Sequence, residues 1–347
     1  MEYRDRQEKR GSSRTERSRS PERPLIREKD GAQPTPRCAP RKNKKKKLIS
    51  SILSRIPSCS EGFLLQGTDV PPLKAEDCPG FTGVKIRVLE KDPLDAAIEL
   101  ANNTRSGSDT SNAVSAAGDT PATIPEHGRT CLLNTAIAQQ PKDLGFVKKL
   151  TQDKSIYERS TLFETLREKN YPVPRKTAVY SPSVVIFGDS QEPTCEFKSL
   201  EDPASLPLVS VISTPAIVRP RIRAVRTYVV KADRKGVVRP IPSYEQLYHF
   251  KSERRAVKES IRVLLRISAS KKHRRIVVSV LGFDEYMHPK EDSANCWAEV
   301  FEEPEFQGGW WTDVVFAVLD PPLHPERNYA QGYIYINRLD GLAVSPP

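Results

Sequence analysis

The sequence predicts an α/β fold, and three features carry that expectation. Ser183–Phe187 forms the centre of one strand, and Ile276–Leu281 and Asp313–Leu319 are near-continuous apolar runs, the pattern of central strands buried on both faces. Between the first and second, Val257, Ile261, Leu264 and Leu265 fall at i, i+4, i+7 and i+8, one face of a helix over about Glu253–Ser268. Strands alternating with such helices bury both sides of a sheet, which is an α/β sandwich.

The folded region is expected to open near Thr82. Lys85–Leu89 alternates as a strand should, and Asp92 followed by Pro93 supplies an N-cap and a first helical residue for a helix reaching Ala101. Asn102–Arg129, rich in Ser, Thr, Asn, Gly and Ala, is expected to be a long surface insertion. Cys131–Asn134 resumes as a short apolar strand. Thr177–Phe187, Leu208–Ile212 and Tyr333–Leu339 read as further strands, the last closing the fold.

The N-terminal part is of another kind. Residues 1–60 carry 18 Lys+Arg against 7 Asp+Glu, a net of +11 that equals the net charge of all 347 residues, so 61–347 is neutral overall. Affinity for nucleic acid or another polyanion is therefore expected of the tail 1–47, not of the folded part. With 37% hydrophobic residues and 30 prolines the chain is only partly globular. A disordered basic tail over 1–60 and a linker over 61–81 are expected. Arg41–Lys47 is a basic cluster of the kind nuclear import receptors read, or a solvated charge run. Leu48, Ile49, Ile52, Leu53 and Ile56 recur at helical spacing and are read as a local turn without a partner rather than as a docking helix.

Six cysteines and five histidines are scattered without a CxxC pair or zinc-type spacing, so no metal site is expected. No apolar run reaches the roughly 20 residues a bilayer crossing needs. Without a secretory signal the expectation is an intracellular protein with reduced thiols, nuclear or nucleo-cytoplasmic given the basic cluster.

From Lys85 to Asp320 the wording resembles the microbial-type poly(ADP-ribose) glycohydrolase domain. Tyr180-Ser-Pro-Ser-Val-Val-Ile-Phe-Gly-Asp189, Ser210-Val-Ile-Ser-Thr-Pro-Ala216, Val280-Leu-Gly282, Phe306-Gln-Gly-Gly309 and Val314–Asp320 are similar to that family's segments and stand in its order. The resemblance implies a macrodomain-like three-layer α/β/α sandwich with a mixed sheet over 82–347. It also implies ADP-ribose or poly(ADP-ribose) as ligand, with no cofactor.

That family's signature reads like "LNFANAxxPGGG", seven residues, then "QEE". Laid on without a gap, Leu133, Asn134, Ala136, Ala138 and Pro141 match it. Ile137 stands where the family's second Asn contacts a ribose, and Lys142, Asp143 and Leu144 replace the three glycines. Glycines suit a diphosphate loop because φ > 0 costs them nothing and the missing Cβ admits backbone N–H groups to the phosphates. Leu144 resists that conformation, Asp143 repels an anion, and Lys142 offers only a point charge.

Gln152-Asp153-Lys154 stands where the resemblance places the general acid, so an ammonium occupies the position of a carboxylic acid. Glycosidic cleavage needs a carboxyl there, and a cation has the wrong sign beside an oxocarbenium-like transition state. The second phosphate loop is also altered, with Gly282, Phe283 and Asp284 opening a stretch where Asp284 and Glu285 bring negative charge. The residues thus imply a pseudoenzyme acting as an ADP-ribose-like ligand or protein interaction module. The alternative is an active poly(ADP-ribose) glycohydrolase, hydrolysing ribose–ribose O-glycosidic bonds through a relocated carboxylate, Asp153 or Glu158. Trp310 and Trp311 are expected in the core rather than as a stacking platform. Cys131 is expected as a buried small hydrophobe, and Lys271–Arg275 as a solvated loop.

Overall fold

The computed structural model of the chain describes residues 40–106, 129–136, 152–166, 172–188, 205–232, 238–279, 286–318 and 331–347. Its main compact unit is Lys42–Pro347. In chain order the elements are α1 (Pro40–Arg55), β1 (Phe63–Gln66), β2 (Ile86–Leu89), α2 (Pro93–Ser106), β3 (Cys131–Ala136), α3 (Gln152–Arg159), α4 (Leu162–Thr165), β4 (Thr177–Val185) and β5 (Leu208–Pro215). They continue with β6 (Ile222–Ala232), β7 (Val238–Tyr248), α5 (Lys251–Ser270), β8 (Arg275–Ser279), α6 (Lys290–Phe301), β9 (Asp313–Ala317) and α7 (Gln331–Leu339).

Seven strands form one mixed sheet in the order β1-β4-β5-β3-β8-β9-β2. β5, β3, β8, β9 and β2 run parallel, and β4 and β1 are added antiparallel at one side. Period-two alternation divides the strand side chains between the faces. Leu133, Ile212, Val278, Val314 and Phe316 pack with Val257, Ile261, Leu264 and Leu265 of α5, Trp297 and Phe301 of α6, and Tyr335 and Leu339 of α7. Leu132, Val211, Val277 and Val315 pack with Leu94 and Ala97 of α2, Ile156 of α3 and Leu162 of α4. Two helical layers around one sheet make the three-layer α/β/α sandwich expected.

Local choices match this frame. The Asp92 carboxylate accepts the Leu94 N–H at 2.8 Å, capping α2 as predicted. Every residue of β4 and β5 is buried, which their apolar runs required. Trp310 and Trp311 lie in the core, their indole N–H groups donating to Glu305 O and Ser268 Oγ. Cys131 is fully buried, and burial pushes its thiol well up. The loop between α5 and β8 is where Lys271–Arg275 predicted one, although His273 within it is buried against the Tyr180 hydroxyl.

Three expectations are corrected. First, the tail does not extend to residue 60, nor is 61–81 only a linker. Leu48, Ile52, Ile56 and Cys59 bury themselves against Val185, Phe187, Leu206 and Leu208, and β1 pairs with β4. The apolar spacing at 48–56 has a partner some 130 residues away, which local periodicity cannot reveal. Second, α2 continues to Ser106, so the expected insertion starts later; 107–128 lie outside the described residues. Third, Tyr333–Leu339 is helical, with Tyr335 and Leu339 buried one turn apart and Tyr333 and Ile336 exposed. Its aromatic and β-branched content favoured a strand, and tertiary burial along one helical face overrides that preference.

β6 and β7 form a separate two-stranded antiparallel ribbon in continuous register from Ile222↔Tyr248 to Ala232↔Val238. The outer side of β2 is covered by the end of the chain. Ile86 N–H donates to Leu342 O and Gly341 N–H to Ile86 O, both at 2.9 Å, while Val88 N–H donates to Asp340 Oδ1. No helix among the described residues is long and apolar enough to cross a membrane.

Candidate functional site

The carboxyl ends of β5, β3, β8, β9 and β2 share one edge of the sheet, since Asn134 of β3 is level with Ser213, and Val278 of β8 is level with Phe316 and Leu133. The strands β3 and β8 are neighbours, yet the chain leaves them toward opposite faces. After β3 it reaches α3 in the layer of α2, and after β8 it reaches α6 in the layer of α5. Adjacent parallel strands whose helices diverge in this way open a crevice at their carboxyl ends, the usual ligand position in such sheets.

Asn134 stands at that crevice. It is fully buried, and neither its Oδ1 nor its Nδ2 has a hydrogen-bond partner. The hydroxyls of Ser213 and Thr214 on β5 are likewise buried and unpartnered. Alternation puts Asn134 and Ser213 on the face of α3 and Thr214 on the other. A buried unpaired polar group costs about 1–3 kcal/mol, so such a cluster needs a compensating role.

The far side of the crevice is held by a polar post. His288, buried just before α6, donates from Nε2 to Ile217 O at 2.8 Å, and its Nδ1 accepts from the Tyr248 hydroxyl at 2.7 Å. The Tyr248 oxygen in turn accepts from Ser293 at 2.9 Å. Burial pushes the imidazole down to about 4, against the bond to Ile217, so it is neutral near pH 7 with its tautomer fixed by the two bonds. Both ring nitrogens are engaged, which makes His288 a strut rather than a base. Met287 before it sits at φ 52°, a left-handed conformation a non-glycine residue takes only under constraint.

On the α3 side, a buried guanidinium ties the helix down. Arg159 is 2.6 Å from the Asp92 carboxylate, pairs also with Asp95, and donates from Nε to Gly188 O. Burial lowers its pKa, but Asp92 and Asp95 outweigh this and the net direction is upward.

Of the sequence-predicted residues, Gln152, Asp153 and Lys154 form the first turn of α3, and Glu158 lies in its last turn, about 6 Å farther along from Lys154. Beyond Glu158 the backbone is fastened to the end of β4, with Thr161 N–H donating to Val185 O and Phe187 N–H to Arg159 O. Val185 is level with Leu208, the start of β5, so this end of α3 is anchored at the edge of the sheet opposite Asn134. Ile137, Lys142, Asp143, Leu144, Gly282, Phe283 and Asp284 lie outside the described residues. Ser213, Thr214 and Tyr248 were not singled out in the sequence. The signal for the first two was a hydroxyl pair ending a largely apolar strand just before Pro215. Among the described residues no group of His, Cys, Asp and Glu could hold a metal ion.

The fold and this edge define a macrodomain-like α/β/α module with a crevice where β3 and β8 part. No protein-family model matches the chain, and no curated protein matches its sequence. Solved structures do. Poly(ADP-ribose) glycohydrolase from Thermomonospora curvata is similar over 86% of this chain and 100% of that one, at 16% identity and a TM-score of 0.53. The same enzyme bound to the inhibitor ADP-HPD gives 0.54. The Deinococcus radiodurans glycohydrolase in complex with ADP-ribose is similar over 85% and 98% of the two chains, at 18% identity and 0.53. At these identities the likeness is one of fold.

Proposed function

We propose that this chain binds an ADP-ribose-like nucleotide at the carboxyl edge of β3 and β8 and does not hydrolyse poly(ADP-ribose). The observation that carries the reading is the Asn134 amide, wholly buried at the crevice with donor and acceptor both unpartnered. A ribose hydroxyl both accepts and donates, so it would complement that amide. The fold likeness to glycohydrolases solved with ADP-ribose and with ADP-HPD supports the choice of ligand.

The residues at α3 support the loss of turnover. Lys154 replaces the acid, and Glu158 belongs to the turn anchored at the opposite edge. A carboxyl must stand within hydrogen-bond reach of the scissile oxygen to protonate it, which this placement disfavours. Calorimetry with ADP-ribose is expected to give heat with the native chain and none with Asn134→Leu. Absence of heat at millimolar ADP-ribose would leave the protein-interaction reading. Incubation with poly(ADP-ribose) is expected to release no monomer; release that Asp153→Asn or Glu158→Gln abolishes would establish the hydrolase instead. The cluster Arg41–Lys47 supports a nuclear or nucleo-cytoplasmic location, tested by imaging the tagged chain with that cluster neutralised.

A further inference from the structure

Residues 61–347 carry no net charge, but their cations are not evenly spread. A cleft of about 660 Å³ lies between the β6–β7 ribbon and α5, lined by Arg223, Lys251, Arg254, Arg255, Lys258 and Arg262, with Asp292 as its carboxylate. Half of these cations are committed to packing α5 on α6. Arg254 binds Asp292 and Glu299, Lys258 lies 3.3 Å from Glu299, and Arg262 binds Glu303 and Glu259. Arg223, Lys251 and Arg255 are exposed, and among the described residues no carboxylate lies within ion-pair distance of them. The nearby acids are already used, Glu253 accepting from the Arg221 N–H and Glu291 from the Gln246 N–H, each at 3.3 Å.

An aromatic ring stands beside the cleft, Phe250 lying in the chain between the lining residues His249 and Lys251. Phe250, directly before α5, is 41% exposed. The Arg221 guanidinium lies 5.7 Å from its centroid, and the His249 ring meets it edge-on at 4.7 Å.

We propose that this cleft binds single-stranded nucleic acid, with phosphates at Arg223, Lys251 and Arg255 and a base on Phe250. Cations track a phosphate backbone, and an exposed ring stacks a base only where that base is unpaired. The helix carries its cations at Lys251, Arg255, Lys258 and Arg262, spacings of four, three and four residues that keep them on one side over about 16 Å. Lys258 and Arg262 in this row are held by carboxylates, so a strand laid along the cleft would meet Lys251 and Arg255, one turn apart on α5, and Arg223 across from them. This assigns binding to the folded part rather than to the tail, and is independent of the nucleotide proposed for the β3–β8 edge.

The test uses the full chain and a fluorescein-labelled single-stranded DNA oligonucleotide of about 12 nucleotides, followed by anisotropy between 50 and 200 mM salt. The native chain is expected to bind with a steep salt dependence. The triple substitution Arg223→Gln, Lys251→Gln, Arg255→Gln is expected to weaken binding by roughly tenfold or more and to lower the log–log salt slope by about 2, three phosphates at about 0.7 each. Phe250→Ala is expected to weaken binding at least about fivefold with the slope unchanged. All four positions are exposed, and an unaltered thermal midpoint would show the variants folded. Native affinity and slope in the triple variant would overturn the proposal and place binding outside the cleft. So would binding of poly(ADP-ribose) that depends on these residues while the oligonucleotide does not bind.

Discussion

Acidification should unfold this protein partly through one histidine. His288 is buried and pushed down to about 4, whereas an unfolded histidine titrates near 6.5. The sign follows from which state holds the proton. Below 6.5 the unfolded chain binds a proton that the folded chain refuses, so stability is intact above that value and falls as the pH drops, levelling off near 4. The two values give a loss of about 2 kcal/mol between pH 7 and pH 5, rising to about 3 kcal/mol at lower pH. The carboxylates Glu299 and Glu305 are held below 4.5, Glu299 by Arg254 and Glu305 by Arg266 against its burial, so their contribution is lost only as the pH falls below about 4.5 and leaves the range from pH 7 to pH 5 clear. The perturbation is His288→Gln, whose amide can donate to Ile217 O and accept from the Tyr248 hydroxyl without titrating. Urea unfolding at pH 7, 6 and 5 is the assay. The native chain should lose about 2 kcal/mol more than the variant across that range. Superimposable pH dependences would refute the argument, because they would mean that the folded imidazole accepts a proton as readily as the unfolded one.

Asn134→Leu should raise the thermal midpoint while removing ADP-ribose binding, since it relieves an unpaired amide costing about 1–3 kcal/mol; a lower midpoint in scanning calorimetry would show that the amide is satisfied. Arg159→Met should cost about 3–5 kcal/mol by leaving Asp92 and Asp95 facing an uncharged side chain, measured by urea unfolding. Ile52→Ala should cost about 2–5 kcal/mol if α1 docks as described, and nothing if residues before 60 were outside the fold.

How far the sequence could be read depended on how local the determining physics was. The Asp92-Pro93 cap, the buried runs of β4, β8 and β9 and the stripe of α5 are encoded within a few residues and were legible. α1 was not, because what makes Leu48 and Ile52 a docking face is Phe187, Leu206 and Leu208, distant in the chain. α7 was misread for a related reason, its Tyr335 and Leu339 being helical only in view of the core they fill. At the site, Asn134 was found by resemblance, but that its amide is unpartnered, and that Ser213 and Thr214 accompany it, depends on register across β3 and β5. The cationic cleft was hidden by a charge count of zero, since Glu299 and Glu303 balance the sum while answering different cations.

The final segment of the chain has a consequence for self-association. A sheet this size ends in two flanks, and an uncovered flank invites a second molecule to add its own strand. β1 is only four residues long, and β2 has its outward amides taken by Asp340 and Leu342. Removing residues 340–347 would strip that seal and leave a raw border of unpaired backbone amides and carbonyls. A chain shortened there should form oligomers or precipitate while the intact one stays dispersed, making the last eight residues a guard against polymerisation.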